Sequence, residues 1–179
     1  MSQNDSDVKD IHKCRTNLLK QLNLLGYNTE NYESFGINEV NTMYNKNQLD
    51  MFIENDKNGK KIWVKFHLGK TLRQSNINEI IDDLINIEKT LEKTDTIIII
   101  IKDAPNDTIN SILKFIWDNY GIFVSVRSIK SLLFNIFEHS YVPLHIILSN
   151  EEVQKFKAKY NITRDDMIPE ISRFDPVAA

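Results

Sequence analysis

The chain has 179 residues, of which 41% are apolar and 26% are charged, and its net charge at pH 7 is −3. This length and composition exclude a disordered polar chain and allow one or two cores that bury roughly two-thirds of the unfolded surface. The slightly acidic balance excludes tight binding of nucleic acid by the whole surface, because electrostatics dominates non-specific affinity.

Apolar residues at helical spacing predict a first helix over residues 7 to 25, followed by Gly26 as a left-handed cap. The apolar stripe consists of Val8, Ile11, Cys14, Leu18, Leu22 and Leu25. Cys14 is the only cysteine, so no intrachain disulfide can form, and its place on the stripe indicates a core residue rather than a reactive thiol. Residues 30 to 48 are polar and lack a sustained period, which predicts a loop with one helical turn.

Two alternating segments, residues 49 to 55 and 61 to 68, predict an antiparallel hairpin around Asn58-Gly59, where the glycine supplies the positive φ of the turn. The predicted core face of the second strand carries Ile62, Val64, Phe66 and Leu68. The opposite face carries Lys61, Trp63, Lys65 and His67, near Asp50, Phe52 and Glu54 of the first strand.

A helix capped by Ser75 is predicted over residues 76 to 92. Its predicted buried stripe consists of Ile77, Ile80, Ile81, Leu84, Ile87 and Leu91. The five isoleucines from 97 to 101 do not alternate with polar residues, which is typical of a central strand covered on both faces.

A second crossover helix is predicted from Asp107, as its N-cap, to Gly121. Its apolar stripe consists of Ile109, Ile112, Leu113, Ile116 and Tyr120. Further strands are predicted at residues 122 to 126 and 132 to 137. Helical connections of this length predict parallel, right-handed crossovers, and therefore a mixed sheet whose edge is the antiparallel hairpin.

Several local signals lie close together between Asn135 and Ala178. Ser149 and Glu152 have the spacing of a capping box, which predicts the start of a helix. The packing face of that helix carries Val153, Phe156 and Tyr160. Flanking prolines, which favour non-helical chain, stand at Pro143, Pro169 and Pro176. Together these signals predict a small strand, helix, strand unit.

This stretch resembles the carboxyl-terminal assembly domain of the fifth subunit of eukaryotic nuclear RNA polymerases, a family that also has an archaeal counterpart. The resemblance is carried in family order by Asn135-Ile136, His139, Val142-Pro143, His145, Leu148-Ser149, Glu152, Tyr160, Pro169, Ile171 and Asp175-Pro176-Val177-Ala178. Two departures stand out. Glu170 replaces the usual basic residue, and the chain stops at Ala179, where the family continues with a glycine-containing strand pair. A truncated assembly domain is therefore expected.

The resemblance implies a jaw-like amino-terminal domain over residues 1 to 140 and a partial assembly domain over residues 141 to 179. The expected fold class is α/β, with a mixed-sheet jaw-like domain (helix, hairpin and βαβαβ) and a small α+β assembly domain. Because the archaeal counterpart lacks the jaw, the resemblance implies a eukaryotic or large-DNA-virus source. The expected location is intracellular: the nucleus for a cellular protein, the virion or host cytoplasm for a viral one.

The expected partners are the largest polymerase subunit, other polymerase subunits and, weakly within the complex, downstream duplex DNA. Candidate assembly-interface residues are Val142, Pro143, His145, Phe156, Tyr160, Pro169, Ile171, Asp175, Pro176 and Val177. Candidate DNA-proximal residues are Lys60, Lys61, Lys70 and Arg73 around the hairpin and, by resemblance, Lys102, Pro105 and Asn106.

The predicted sheet is also the scaffold of restriction-type nucleases, which hold a metal with an aspartate and with a glutamate two residues before a lysine. Asp50 and Lys65 could take the outer positions, but Trp63 replaces the glutamate. Glu54 of the partner strand could substitute, but a cross-strand Glu–Lys pair on a solvated face is the favoured interpretation. The four histidines lack ligand-like spacing, so no metal, cofactor or catalytic residue is predicted.

The favoured hypothesis is a non-catalytic subunit of a multisubunit DNA-directed RNA polymerase. The alternative is a free-standing nucleic-acid-binding or degenerate nuclease-like module. No membrane partner is expected, because MSQNDSDVKD lacks the pattern of a secretion signal and the apolar run from 97 to 101 is too short to span a bilayer.

Overall fold

The computed structural model describes residues 3–56, 58–142 and 148–172. The chain divides into two compact units, Met1–Asn135 and Ile136–Ala179. The described elements of the first unit are α1 (Gln3–Leu24), α2 (Glu30–Glu33), α3 (Ile37–Asn45), β1 (Met51–Glu54), β2 (Lys61–His67), α4 (Gln74–Ile81), β3 (Thr96–Ile101), α5 (Asp107–Tyr120) and β4 (Phe123–Ser128). Those of the second unit are α6 (Asn150–Lys159) and two 3-10 turns, Ile136–Glu138 and Asp165–Met167.

The four strands form one sheet in the order β1-β2-β3-β4. β1 runs antiparallel to β2, with Met51 opposite Val64, whereas β2, β3 and β4 are parallel to one another. The hairpin turn closes with the Asn55 N–H donating to the Lys60 carbonyl at 2.8 Å, and Gly59 has a φ of +66°. The mixed sheet with an antiparallel edge hairpin is therefore confirmed.

The isoleucine strand β3 lies at the centre of the amino-terminal unit, and Ile97 to Ile101 are all buried. Ile98 and Ile100 share one apolar cluster with Leu18 and the other buried residues of α1. Alternate residues of a strand point to opposite faces, so Ile97, Ile99 and Ile101 face the other side of the sheet. Burial on both faces is what the unbroken run of isoleucines predicts.

Helix α1 ends with a Schellman motif, which confirms the predicted cap. Gly26 has a φ of +87°, and its N–H donates to the Asn23 carbonyl at 2.9 Å. The N–H of Tyr27 donates to the Leu22 carbonyl at 3.1 Å. Leu25 was expected on the buried stripe, and this was wrong: the helix has already ended there, and Leu25 is 58% exposed.

The segment from 30 to 48 is not the predicted loop with one helical turn, because it forms α2 and α3. Its residues are ordered by distant parts of the chain. The Tyr32 hydroxyl donates to the Phe52 carbonyl at 2.8 Å, and Arg15 Nη1 donates to the Tyr32 carbonyl at 2.6 Å. Val40 of α3 is completely buried. Tertiary contacts therefore supply the order that the local sequence pattern does not indicate.

Helix α4 departs from its prediction at both ends. It begins at Gln74, with Arg73 rather than Ser75 at the N-cap, and the Arg73 N–H donates to Asn76 Oδ1 at 3.1 Å. From Asp82 to Ile87 the helix is π-helical instead of continuing regularly to residue 92. The wider turn rotates later side chains away from the buried stripe, and Ile87 is consequently 66% exposed.

Helix α5 is capped by Asn106 rather than by Asp107. Asn106 Oδ1 accepts a hydrogen bond from the Ile109 N–H at 2.9 Å. Gly121 has a φ of +68°, which confirms the predicted left-handed end of this helix. Tyr120, expected on the buried stripe, is instead 55% exposed in the last turn, where its ring lies 6.3 Å from that of Phe115.

No strand forms over residues 132 to 137, all of which the structure describes. A 3-10 turn, Lys130–Leu132, stands at the start of this segment. Ser131 donates from its N–H to Ser128 Oγ at 3.1 Å and from its Oγ to the Ser128 carbonyl at 2.8 Å. The Leu132 carbonyl accepts from Asn17 Nδ2 at 2.8 Å. The bond from Asn17 thus occupies one backbone carbonyl that a strand over 132 to 137 could use, and the bonds of Ser131 hold the turn just before it.

The carboxyl-terminal unit confirms the predicted capping box. The Ser149 N–H donates to Glu152 Oε2 at 2.8 Å, and the Glu152 N–H donates to Ser149 Oγ at 3.4 Å. The strands predicted on either side of α6 fall largely on residues 143–147 and 173–179, which lie outside the described residues. Of the helices in the described ranges, none combines the length and the apolar character that a membrane crossing requires.

Candidate functional site

The predicted packing face of α6 carries an exposed aromatic pair. Phe156 and Tyr160 lie one turn apart with ring centroids separated by 4.8 Å, and they are 42% and 56% exposed. Val153, the third predicted member of the face, is half-buried. None of the residues 136–142 and 148–172 is buried. This face is thus an apolar side of the helix that the described residues leave partly exposed.

Polar interactions hold α6 in place. The pKa of Glu152 is lowered because its carboxylate accepts the Ser149 N–H and, to a lesser extent, the Ser149 hydroxyl. At the other end, Lys157 Nζ lies 2.6 Å from Asp165 Oδ1, and this bond lowers the pKa of Asp165. The Ile162 N–H donates to the Lys157 carbonyl at 2.9 Å and closes the helix. The helix can therefore present its aromatic pair without burying it.

The remaining interface candidates divide into described and undescribed residues. Val142 is half-buried, whereas Pro169 and Ile171 are exposed, Ile171 by 63%. Candidates that fall outside the described residues are Pro143, His145, Asp175, Pro176 and Val177. Sequence reasoning did not list four further exposed apolar residues of this unit as interface candidates: Phe137 at 39%, Tyr141 at 89%, Leu148 at 43% and Met167 at 52%. None of them lies on the predicted helix, so its periodicity does not mark them.

The DNA-proximal candidates lie at two opposite ends of β2. Lys60 and Lys61 stand at its amino-terminal end, and Lys61 Nζ lies 5.8 Å from the Phe52 ring centroid. Lys70 and Arg73 follow its carboxyl-terminal end and line one shallow cleft. Seven strand residues separate the ends by roughly 20 Å. The two pairs therefore do not form one patch.

The loop after β3 lies at the same sheet edge as Lys70 and Arg73, because the last residues of β2 and β3, His67 and Ile101, are paired in parallel. Its candidates are Lys102, Pro105 and Asn106. Lys102 Nζ lies 3.1 Å from Asp7 Oδ2, and the hydrogen bond with Asp7 raises the pKa of Lys102. The Asn106 side chain is occupied as the cap of α5.

The residues that a nuclease site would need, Asp50 and Lys65, are engaged with each other and with the backbone. Lys65 Nζ pairs with Asp50 Oδ2 at 2.6 Å, and Asp50 Oδ1 accepts the Phe66 N–H at 3.0 Å. The register places Glu54 opposite Lys61, as expected of a cross-strand Glu–Lys pair, and roughly 13 Å along the strand from Lys65. In the part of the chain that the structure describes, no three His, Cys, Asp or Glu residues are grouped so that they could hold a metal ion.

Two neighbouring side chains of the amino-terminal unit, Cys14 and Arg15, are buried. Burial raises the pKa of the Cys14 thiol to about 12, so Cys14 is a protonated core residue, as predicted. Arg15 is 4% exposed, and burial lowers the pKa of its guanidinium. The guanidinium lies 5.1 Å from the ring centroid of Phe35 and 5.8 Å from that of Tyr32. Both residues serve the core rather than a reactive site.

Comparison with known families assigns the carboxyl-terminal unit. Residues 134–179 match the family model described as RNA polymerase Rpb5, C-terminal domain. The matched range contains α6, its capping box and its exposed aromatic pair. The α/β fold with a four-stranded mixed sheet and this carboxyl-terminal domain agrees with the fold class expected from the sequence. Through these residues, the match supports an Rpb5-type RNA polymerase subunit.

Proposed function

We propose that this subunit is non-catalytic, that it docks on the largest subunit of a multisubunit DNA-directed RNA polymerase, and that it holds a jaw domain near downstream DNA during transcription. Residues 1 to 140 are the jaw and residues 141 to 179 the assembly domain. The subunit acts inside the cell: in the nucleus if the source is cellular, in the virion or host cytoplasm if it is a large DNA virus.

The observation that carries the docking proposal is the exposed aromatic pair of α6 within the matched range. Phe156 and Tyr160 are large apolar side chains on a helix whose ends are fixed by polar bonds. Aromatic anchors held in place before binding lose little conformational entropy when a partner covers them. Ile171 and Met167 extend the exposed apolar surface of the same unit. A partner surface is therefore the expected environment of this face.

The jaw proposal is supported by the cations at one edge of the sheet. Lys70 and Arg73 follow the carboxyl-terminal end of β2, and Lys102 follows that of β3. Lys102 forms an ion pair with Asp7, which offsets its charge, so the net positive charge at this edge of the sheet is small. Weak contact with phosphates fits this arrangement better than tight independent binding.

Co-purification tests the assembly role. A tagged chain expressed with the polymerase subunits of its own source should retain the largest subunit through washes at high salt, because apolar contacts are not screened by ions. A tagged chain that lacks residues 141 to 179 is the control. If the largest subunit is lost in high salt while duplex DNA stays bound, the free-standing nucleic-acid-binding module is the better account.

Salt-dependent DNA binding tests the jaw role in the isolated chain. Two or three phosphate contacts predict a slope of log K against log salt of about −2 to −3. The double variant Lys70→Met/Arg73→Met should make this slope shallower, whereas Lys60→Met/Lys61→Met, at the other end of β2, should change it less. Tight binding at about 200 mM salt would contradict a subunit that meets DNA only within the polymerase.

A further inference from the structure

The two crossover helices of the amino-terminal unit leave a groove between them. The connections β2-α4-β3 and β3-α5-β4 advance across the sheet in the same direction, so right-handed crossovers place α4 and α5 on the same face. A space of about 530 Å³ lies between the two connections, and residues of α4, of the π-helical turn after it and of α5 line it. The described chain therefore does not close this face of the unit.

One wall of this groove is irregular. The π-helical turn Asp82–Ile87 buries Leu84 to 4% exposure but leaves Ile85 half-buried against the groove and Ile87 66% exposed. Turns of this kind are rare in proteins and occur frequently at functional sites. The irregular turn thus supplies apolar surface that the unit itself leaves uncovered.

The opposite wall offers an aromatic anchor. Tyr120, in the last turn of α5, lines the groove and is 55% exposed, and buried Ile116 lies one turn before it. Half-buried Ile81 and Ile85 line the groove from the other wall. Tyrosine is enriched among the residues that dominate protein–protein binding, because its ring gives a large contact area at little conformational cost. The groove therefore fits the apolar side chains of a protein segment.

Charge around the groove is acidic. Glu79 and Asp82 line it, are exposed, and form no ion pair within the described part of the chain. Lys93 lines it as well and offsets one of these two charges. Residues 74–88 and 107–120, which contain the two walls, carry six acidic residues against one lysine: Glu79, Asp82, Asp83, Glu88, Asp107 and Asp118 against Lys114. Complementarity therefore favours a partner whose exposed side chains are lysine or arginine.

We propose that this groove binds an amphipathic helix of a partner protein that carries lysine or arginine beside its apolar face. Its apolar side chains lie between Ile85 and Tyr120, and its cations pair with Glu79 and Asp82. A helix suits an apolar groove because side chains three and four residues apart enter it together. The site lies wholly within residues 78 to 122 of the amino-terminal unit, so it does not depend on the docking role of α6.

Two labelled model peptides test the groove on the full-length chain. Each is an amphipathic helix of about 18 residues with the same leucine face, and its polar face is lysine in one peptide and glutamate in the other. The lysine peptide should bind saturably at one site and shift the methyl NMR resonances of Ile81 and Ile85, whereas the glutamate peptide should not bind. Tyr120→Ala should weaken the lysine peptide about tenfold. Phe134→Ala, which removes a ring of the same unit that is 58% exposed against 55%, is the control and should leave the affinity unchanged.

Charge variants separate ion pairing at the groove from a general attraction of a basic peptide to an acidic protein. Glu79→Gln/Asp82→Asn should weaken the lysine peptide about fivefold, the effect of two exposed ion pairs, and this loss should shrink at high salt. Glu30→Gln/Glu39→Gln removes the same charge from exposed positions on α2 and α3 and should change the affinity less. All four side chains are exposed, so both double variants should fold.

Absence of saturable binding, equal binding of both peptides, or equal weakening by the two double variants would overturn the proposal. Analytical ultracentrifugation of the chain without peptide tests a different occupant. Self-association that Tyr120→Ala abolishes would show that a second copy covers the groove, and the basic helix would then be rejected.

Discussion

The two units of this chain differ in how their apolar residues are used. In the amino-terminal unit, Leu18, Val64 and Ile99 are nearly or completely removed from solvent around one sheet. In the carboxyl-terminal unit, no described residue is buried, and Phe156, Tyr160 and Ile171 are 42%, 56% and 63% exposed. A segment of roughly 40 residues seldom holds a core alone. The first unit thus has a core of its own, whereas the described residues of the second leave apolar side chains exposed, and we propose that a partner covers them.

The largest effect is expected from a cavity in the core of the amino-terminal unit. Leu18 is 2% exposed and belongs to the apolar cluster between α1 and the sheet. Leu18→Ala should lower the free energy of unfolding by about 3 kcal/mol, through lost burial and an incompletely filled cavity. Urea denaturation followed by tryptophan fluorescence measures this change. Leu24→Ala, at a position 72% exposed on the same helix, is the control and should stay within about 0.5 kcal/mol.

Removal of the α6 anchor should separate assembly from folding. Phe156→Ala should cost about 3 kcal/mol, counted over the folding of its own unit and the binding of the polymerase together. The urea midpoint of the amino-terminal unit should not move, whereas recovery of the largest subunit should fall. Phe115→Ala removes a similarly exposed phenylalanine, 52% against 42%, from the other unit. Equal loss of the largest subunit in both variants would contradict a docking face on α6.

Removal of a helix cap should also act differently in the two units, with smaller effects on stability. Asn106 caps α5 in the first unit, and Ser149 caps α6 in the second. Asn106→Ala should lower the free energy of unfolding of the amino-terminal unit by about 1 kcal/mol. Asp107→Ala, next to it, should cost less, because Asp107 is not the cap. Ser149→Ala should leave this unfolding unchanged and reduce only the helicity of residues 150 to 159.

The smallest effect is a pH dependence confined to α6. Because the folded-state pKa of Glu152 is lowered, its contribution is fully present above the ordinary glutamate pKa of about 4.3 and is lost as the pH falls through the lowered value. Amide NMR of residues 150 to 159 should show fraying in that acidic range.

Glu152→Gln should flatten this pH response while the helix persists, because glutamine also completes a capping box. Asp165→Asn is a second control, since Lys157 lowers the pKa of Asp165 as well. Fraying that keeps its full pH dependence in Glu152→Gln would show that another group is responsible.

Elements with strong local chemistry were predictable from the sequence. The Asn58-Gly59 turn, the unbroken isoleucines of β3 and the Ser149 capping box each depend on neighbouring residues, and each is present as expected. Elements whose order depends on contacts with remote parts of the chain were not predictable. Val40 and Tyr32 are held by contacts with remote parts of the chain, and the bonds of Ser131 and Leu132 replace the strand that an apolar sequence suggested.

In the candidate functional surfaces, too, features set by local spacing were predictable and features set by distant contacts were not. Phe156 and Tyr160 were predictable, because their spacing on a capped helix places them on one face. The separation of Lys60 and Lys61 from Lys70 and Arg73 follows from strand length and could have been derived from the predicted hairpin. The groove between α4 and α5 could not be derived, since no sequence period indicates the π-helical turn that forms part of its wall.

We propose that the carboxyl-terminal unit, and not the amino-terminal unit, holds the chain on the polymerase. The most direct measurement is the recovery of the largest polymerase subunit by three tagged chains: the full chain, the chain without residues 141 to 179, and the chain without residues 1 to 140. We expect recovery by the full chain and strong loss when residues 141 to 179 are removed. Unchanged recovery without residues 141 to 179, combined with loss when residues 1 to 140 are removed, would reverse the roles of the two units.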